Sequence, residues 1–412
     1  MSKFLRISTF KTASRCWVPV QASSNSTMRH FSSKQRCINF NNLNDGFAVS
    51  NDDVLRHDDV RQTHSDSEPF EPTVFSSEEI HTAGPDLPTI TMSLKVACGQ
   101  MCSSSNLAAN ARVACKLIRL AYKQNAKVLF LPEASDYISR DATHSMELAN
   151  ATHREFLEPI QEEIRRIYNG VPSADEDSGL YVALGVHEPS HQPGVDVKGL
   201  NKVQNNHLWI NNKGQIVHRY QKIHLFDVSI PNGPILQESK SVEAGKSLVK
   251  PFPINETTLS KFTIGLNICY DIRFPETCIS LRKSGANIIT YPSAFTTKTG
   301  DSHWELLGRA RAVDSQCYVI MAAQCGEHDV YADKSGDSSD QKKTRVSYGE
   351  SIIISPWGDV LARCQKYSDS LSVDEDGDYY ELCSAELNLD DLQKIRTNMP
   401  LMDHRTEYDI RE

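Results

Sequence analysis

Three segments of this chain end an apolar, strand-like run on a residue that can do chemistry. In open α/β sheets, sites gather at the carboxyl ends of strands. In Phe130-Leu131-Pro132-Glu133, a carboxylate follows directly on the apolar run. Such a group is costly unless it is paired or solvated, and partial desolvation would raise its pKa and suit it to general-base work. The plainer alternative is a helix-capping or turn carboxylate. In Tyr220-Gln221-Lys222-Ile223-His224-Leu225-Phe226, Lys222 interrupts the run. Its ammonium either snorkels to water or meets a buried anion. His224 reads as a hydrogen-bonded structural histidine rather than a catalytic one. The third segment is Ile264 to Glu276, in which a strand runs into Cys269 and a helix opens near Pro275. Proline is favoured at the first helical position. A cysteine at a strand-to-helix bend exposes its sulfur and leaves backbone N–H groups free for an anion, as in the serine nucleophile elbow. The competing reading is a buried core cysteine.

The elements that must position these residues are legible around them. Leu94, Val96 and Cys98 alternate as a strand, and order is expected from about that point. Ser103 to Ser105 offer N-caps for a helix carrying Leu107, Ala111, Ala114, Ile118 and Ala121 on one face, which Asn125 ends. Further strands are expected at 128–131, 181–186, 207–210, 216–220, 262–268, 287–291, 318–323 and 351–354, with helices at 146–168, 275–284 and 303–315. The turns Asn211-Asn212-Lys213-Gly214 and Ser355-Pro356-Trp357-Gly358 should close hairpins. Strands joined both by helices and by hairpins imply one mixed-sheet, layered α/β domain over residues 93–405.

The remainder of the chain differs in charge. The 412 residues carry 44 Lys+Arg and 53 Asp+Glu, a net charge of −9, with 39% hydrophobic residues. Residues 1–36 hold seven basic residues, no acid and many hydroxyls, the composition of a mitochondrial transit peptide. Residues 37–92 hold eleven acids against Arg56 and Arg61, and should form a disordered acidic linker. Mitochondrial targeting is therefore expected, and initiation at Met28 or Met92 would give a cytoplasmic form. The acidic total argues against nucleic acid as a partner. No apolar run reaches the roughly 20 residues that span a bilayer, which argues against a membrane. Eleven scattered cysteines without a CxxC pair or Cys/His ligand spacing argue against a structural metal or a disulfide framework.

The segments FLPEA, YQKIHLFD and GLNICYDIRFPE, in this order, resemble the carbon–nitrogen hydrolase (nitrilase) superfamily over roughly Leu94 to Arg405. TYPSAFTTKTGDSHWELLGRARAVDSQCYV, AAQCG and SYGES resemble its Nit-type amidases, the deaminated glutathione amidase branch more than the omega-amidases. The resemblance implies an α-β-β-α four-layer sandwich, pairing into a homodimer or higher homo-oligomer. It implies a catalytic set of Cys269, Glu133 and Lys222, with Glu238 orienting the lysine, and neither metal nor organic cofactor. Tyr270 would offer its N–H to the oxyanion. Arg273 would bind a substrate carboxylate or else pair with Asp271 or Glu276, and Thr296 and Thr299 would add hydroxyl contacts. The implied reaction is hydrolysis of the terminal carboxamide of deaminated glutathione with release of ammonia through a cysteine thioester, with water as the second substrate. The alternatives are omega-amidase action on 2-oxoglutaramate or 2-oxosuccinamate, a non-catalytic interaction protein on the same scaffold, and, less strongly, a nitrilase proper. The stretch Asp329–Lys343 is a polar insertion relative to that family, able to reach the pocket rim.

Overall fold

The computed structural model describes residues 92–171, 178–193, 201–229, 235–332, 345–406 and 408–409. The basic leader, the acidic linker up to Thr91 and all of the insertion beyond Ala332 lie outside them.

The chain enters on β1 (Ser93–Met101), α1 (Leu107–Lys123) and β2 (Val128–Phe130). It continues through α2 (Ala142–Thr152) and α3 (Glu158–Asn169) to β3 (Tyr181–Pro193), β4 (Asn201–Ile210) and β5 (Ile216–Gln221). Short strands follow: β6 (Asp227–Ser229), β7 (Ile235–Gln237), β8 (Val242–Glu243) and β9 (Phe252–Pro253). The second half runs β10 (Thr263–Leu266), α4 (Pro275–Lys283), β11 (Ile288–Thr290), α5 (Thr297–Ser315) and β12 (Tyr318–Met321). It closes with β13 (Cys325–His328), β14 (Arg345–Tyr348), β15 (Ile352–Ile354), β16 (Val360–Arg363), β17 (Tyr380–Asn388) and α6 (Leu389–Asn398). One sheet has the order β17-β1-β2-β3-β4-β5, with β8 beside β4, and the other has the order β16-β15-β12-β11-β10-β9.

Alternation along the strands assigns the layers. On β1, Val96 and Cys98 join the core between the sheets, whereas Ala97 and Met101 join the core under α1 and α3. The second sheet likewise carries α4 and α5 on its outer face, so the order is α-β-β-α. Trp209 of β4 ties the two sheets together. It is 1% exposed and meets Phe130, Tyr181 and, across the sandwich, Phe252, with ring centroids 6.2, 6.1 and 5.4 Å away.

Both expected hairpins are present, β4–β5 and β15–β16. The serines at 103–105 do not cap α1; Asn106 does, its side chain accepting from the Ala109 N–H at 3.0 Å. The long helix expected at 146–168 begins four residues earlier and carries a π-turn at His153–Leu157, which divides it into α2 and α3. Sequence periodicity missed β17, the antiparallel partner of β1, because this edge strand is only half buried and carries acids among its apolar residues.

Replacing Trp209 with alanine should lower stability by about 3–5 kcal/mol, read from urea unfolding, because it empties the contact between the sheets.

Candidate active site

β2 delivers Glu133 three residues beyond its end. The Leu131 N–H donates to the Ala183 carbonyl and the Gly185 N–H to the Pro132 carbonyl, which lock this segment to β3. Ala134 then takes a left-handed φ of 54°, turning the chain away and leaving the Glu133 side chain in the interior, with the residue 5% exposed. Gly185 is obligatory here. A Cβ on it would lie 2.5 Å from the Glu133 Cα and 2.9 Å from the Pro132 oxygen.

β5 delivers Lys222, which is 2% exposed. Its ammonium donates to Glu133 Oε1 at 2.9 Å and to Glu238 Oε1 and Oε2 at 3.1 and 3.0 Å. Glu238 lies in the short turn after β7, and its Oε2 also accepts from the Phe226 N–H at 2.7 Å. Gly245 packs over the lysine's own backbone, its N–H donating to the Lys222 carbonyl at 2.7 Å.

β10 delivers Cys269 on a bend. Its φ is 43°, and it opens a single turn of 3₁₀ helix over Cys269–Arg273 before α4 begins at Pro275. A non-glycine residue in this region costs about 1–2 kcal/mol, so the surroundings must hold it. The Cys269 N–H donates to the Pro292 carbonyl at 2.9 Å. Asp271, fully buried, grips the bend: it accepts from the Ile268 N–H at 3.0 Å, the Tyr220 hydroxyl at 2.8 Å and the His224 N–H at 3.1 Å. His224 Nδ1 lies 2.7 Å from the same carboxylate, and its ring stacks on Phe274. One aspartate therefore ties the lysine segment to the cysteine segment.

The three side chains converge. The Cys269 thiol and the Glu133 carboxylate are close enough to act on each other's ionisation, and the Ala294 N–H donates to Glu133 Oε2 at 3.0 Å. Asn205, from β4, donates to Glu133 Oε1 at 2.8 Å and to Glu238 Oε1 at 3.4 Å. The electrostatics follow from burial and neighbours. Burial works to raise the Glu133 pKa, but the Lys222 charge and the donors from Lys222, Cys269 and Asn205 outweigh it and hold the group below the usual carboxylate range. Burial opposes the Lys222 charge, and the two glutamates more than restore it, leaving it well above its ordinary value. Burial first, then Glu133, pushes the Cys269 thiol well up, against the pull of Lys222. At neutral pH the set is carboxylate, ammonium and neutral thiol. Such an arrangement can move a proton from sulfur to carboxylate while a positive charge waits for an oxyanion.

The structure thus gathers Glu133, Lys222, Cys269 and Glu238, which lie in separate motifs. Tyr270 is the second residue of the 3₁₀ turn, where an N–H has no partner within the turn. Arg273 forms no ion pair among the described residues. Its guanidinium lies over the Tyr270 and Phe295 rings, and a terminal nitrogen lies 3.3 Å from His303 Nδ1. Of the two carboxylates that could have claimed it, Asp271 is engaged at the bend. Thr296 is exposed and Thr299 half-buried, and they close on each other, with their hydroxyls 2.9 Å apart and Thr296 capping α5. Asn205 and Asp271 were not singled out from sequence for this site. Asn205 sits in a polar stretch, QNNH, inside an otherwise apolar strand, a signal that could have marked it.

Among the described residues one carboxylate group could hold a metal ion, Asp374, Asp376 and Asp378. The Lys116 ammonium lies within it at 2.6, 2.6 and 2.8 Å, so an internal cation already balances the charge.

Gly185→Ala should displace the Glu133 backbone. Amide turnover should fall by about 10²-fold, the cost of misplacing a reacting group by an ångström, with the fold retained by circular dichroism.

The carbon–nitrogen hydrolase family matches residues 95–397. A relative from Schizosaccharomyces pombe, named probable hydrolase nit2, is 41% identical over 76% of this chain and 98% of its own length. The human deaminated glutathione amidase is 37% identical over 75% of this chain and 81% of its own. Of solved structures, the Caenorhabditis elegans NitFhit protein superposes with a TM-score of 0.59 at 33% identity, over 76% of this chain and 65% of that longer one. Saccharomyces cerevisiae Nit3 superposes with a TM-score of 0.53 at 25% identity, over 75% of this chain and 95% of its own. With a family match over most of the chain and relatives of this similarity, the protein belongs to the carbon–nitrogen hydrolase family, enzymes that hydrolyse amide C–N bonds.

Proposed function

We propose that the protein is an amidase that cleaves the amide of a small 2-oxo acid, deaminated glutathione first among them, by way of a thioester on Cys269. The observation that carries this reading is the buried Glu133–Lys222 pair, joined by the half-buried Glu238 and set against a thiol on a strained bend. The name of the relatives at about the human enzyme's similarity supports the substrate class. Arg273, a cation with no carboxylate partner among the described residues, supplies a counter-charge for the 2-oxo acid.

In this mechanism Glu133 takes the thiol proton as Cys269 Sγ attacks the amide carbon. The oxyanion forms against the Lys222 charge and the Tyr270 N–H, an interaction worth about 3 kcal/mol per donor. Glu133 returns the proton to the departing nitrogen, the C–N bond breaks and a thioester remains. Water then loses a proton to Glu133, adds to the thioester and expels the thiol, which recovers that proton. Glu238 and Asn205 keep Lys222 and Glu133 in place throughout.

The leaving group needs a correction to what the sequence led us to expect. Deaminated glutathione has no primary carboxamide: the amide of its 2-oxo acid is a peptide-type link to cysteinylglycine. Cleavage there releases the dipeptide amine, and ammonia leaves only from primary amides such as 2-oxoglutaramate. Both substrates give 2-oxoglutarate, so its formation is the shared readout. The wild type should form it from at least one of them and Cys269→Ala from neither; no product from either substrate contradicts the reading.

Glu133→Gln should separate the base from its charge. Removing the negative charge lowers the thiol pKa, since Glu133 raises it and Lys222 lowers it. Alkylation by iodoacetamide at neutral pH should therefore speed up, while amide turnover should drop by about 10²-fold or more. Slower alkylation would contradict the assigned electrostatics.

A further inference from the structure

One titratable group beside the cluster takes no part in the mechanism above. His187 lies on the inner face of β3, two residues beyond the Gly185 that touches Glu133, and directly across from Asn205 in the β3–β4 register. Its ring is stacked on Tyr137, with centroids 4.5 Å apart. Asp136, in the loop after β2, holds it from two sides: the His187 N–H donates to Asp136 Oδ2 at 2.7 Å, and Nδ1 lies 3.1 Å from Oδ1. Asp136 is itself buried and fixed by the Thr152 hydroxyl at 3.1 Å. The side chain retains 13% exposure, and among the described residues no hydrogen-bond partner meets Nε2. An imidazole whose Nδ1 is tied to a carboxylate presents Nε2 as its working end.

The surrounding charges favour the imidazolium. Burial works against it, but Asp136, Glu133 and Glu238 together leave the His187 pKa above its ordinary value. Asp136 and Tyr137 lie against the ring, and the charges acting on it from beyond them are those of Glu133 and Glu238, with Lys222 held between the two glutamates. The set of Glu133, Glu238 and Lys222 carries one net negative charge, which would repel an anionic substrate. Arg273, in the same turn as Cys269, offsets that charge on the cysteine side of the cluster. His187 offsets it on the side of Glu133, and Glu133 is the group that must deliver a proton to the departing nitrogen.

We propose that His187 is a substrate-positioning residue that receives the carboxylate of an anionic leaving group, and so selects amides that release a dipeptide over amides that release ammonia. The inference rests on the amidase reading above. It adds which end of the substrate each cation meets: Arg273 the 2-oxo acid, His187 the carboxylate of the departing peptide.

The test compares deaminated glutathione, whose leaving group is anionic, with 2-oxoglutaramate, whose leaving group is ammonia. His187→Asn keeps a side-chain donor for Asp136 and removes the Nε2 end; His187→Gln offers a neutral donor near the Nε2 position. His187→Asn should raise KM for deaminated glutathione by about tenfold, the loss of one charge-assisted hydrogen bond, with kcat little changed and 2-oxoglutaramate little affected. His187→Gln should recover part of that loss. In the wild type, the ratio of kcat/KM for the two substrates should fall as pH rises through an inflection above the ordinary histidine value, and this inflection should vanish in both variants. Equal losses on both substrates, or an unchanged pH dependence of the ratio, would overturn the inference and leave the amidase reading standing. Turnover of neither substrate by the wild type would overturn both.

Discussion

The site depends on a single buried ammonium shared by two carboxylates. Taking Glu133 and Lys222 out of water beside a half-buried Glu238 is costly, and the attraction between the charges repays that only when their remaining donors and acceptors are also satisfied. Here they are. Glu133 receives the Asn205 amide and the Ala294 N–H besides Lys222, and Glu238 receives the Phe226 N–H. These donors come from β4, from the loop after β11 and from the segment after β5, so the two sheets must pack as they do before the cluster can form. The same charge balance sets the protonation states. With Lys222 charged, Glu133 stays a carboxylate; with Glu133 ionised, the Cys269 thiol keeps its proton. In the proposed mechanism the nucleophile is thus made during attack rather than stored as a thiolate.

The second constraint is the bend at Cys269. A left-handed cysteine aims its sulfur at the cluster, and the strain is held by Asp271 through three donors from two segments. That use of Asp271 removes one of the two neighbouring carboxylates from reach of Arg273, whose guanidinium lies over two aromatic rings. A structural aspartate leaves a cation available for an anionic substrate. Gly185 plays a complementary part on the opposite sheet, where the absence of a side chain lets the Glu133 backbone approach.

The sequence made the chemistry more legible than its supports. Glu133, Lys222 and Cys269 stand out because each breaks an apolar run, and a buried run tolerates such a residue only for a reason. The layered α/β architecture and both hairpins followed from alternation and turn chemistry. Asn205 and His187 did not stand out, since their significance lies in a cross-strand register that no local pattern encodes. Asp271 was read as a neighbour in sequence, whereas its partners Tyr220 and His224 lie about fifty residues away. The edge strand β17 escaped because half exposure blurs its period. Helix periodicity placed α2 and α3 as one helix and could not foresee the π-turn between them.

The central claim is that Cys269 rests as a neutral thiol beside an ionised Glu133. The most direct measurement is the ultraviolet thiolate absorbance of the wild type minus that of Cys269→Ser, followed with pH in the full-length protein. The expected difference is flat through neutrality and rises only above the pH at which an ordinary cysteine ionises. A thiolate signal already present at neutral pH would contradict the account, because the nucleophile would then be stored as a thiolate rather than made during attack.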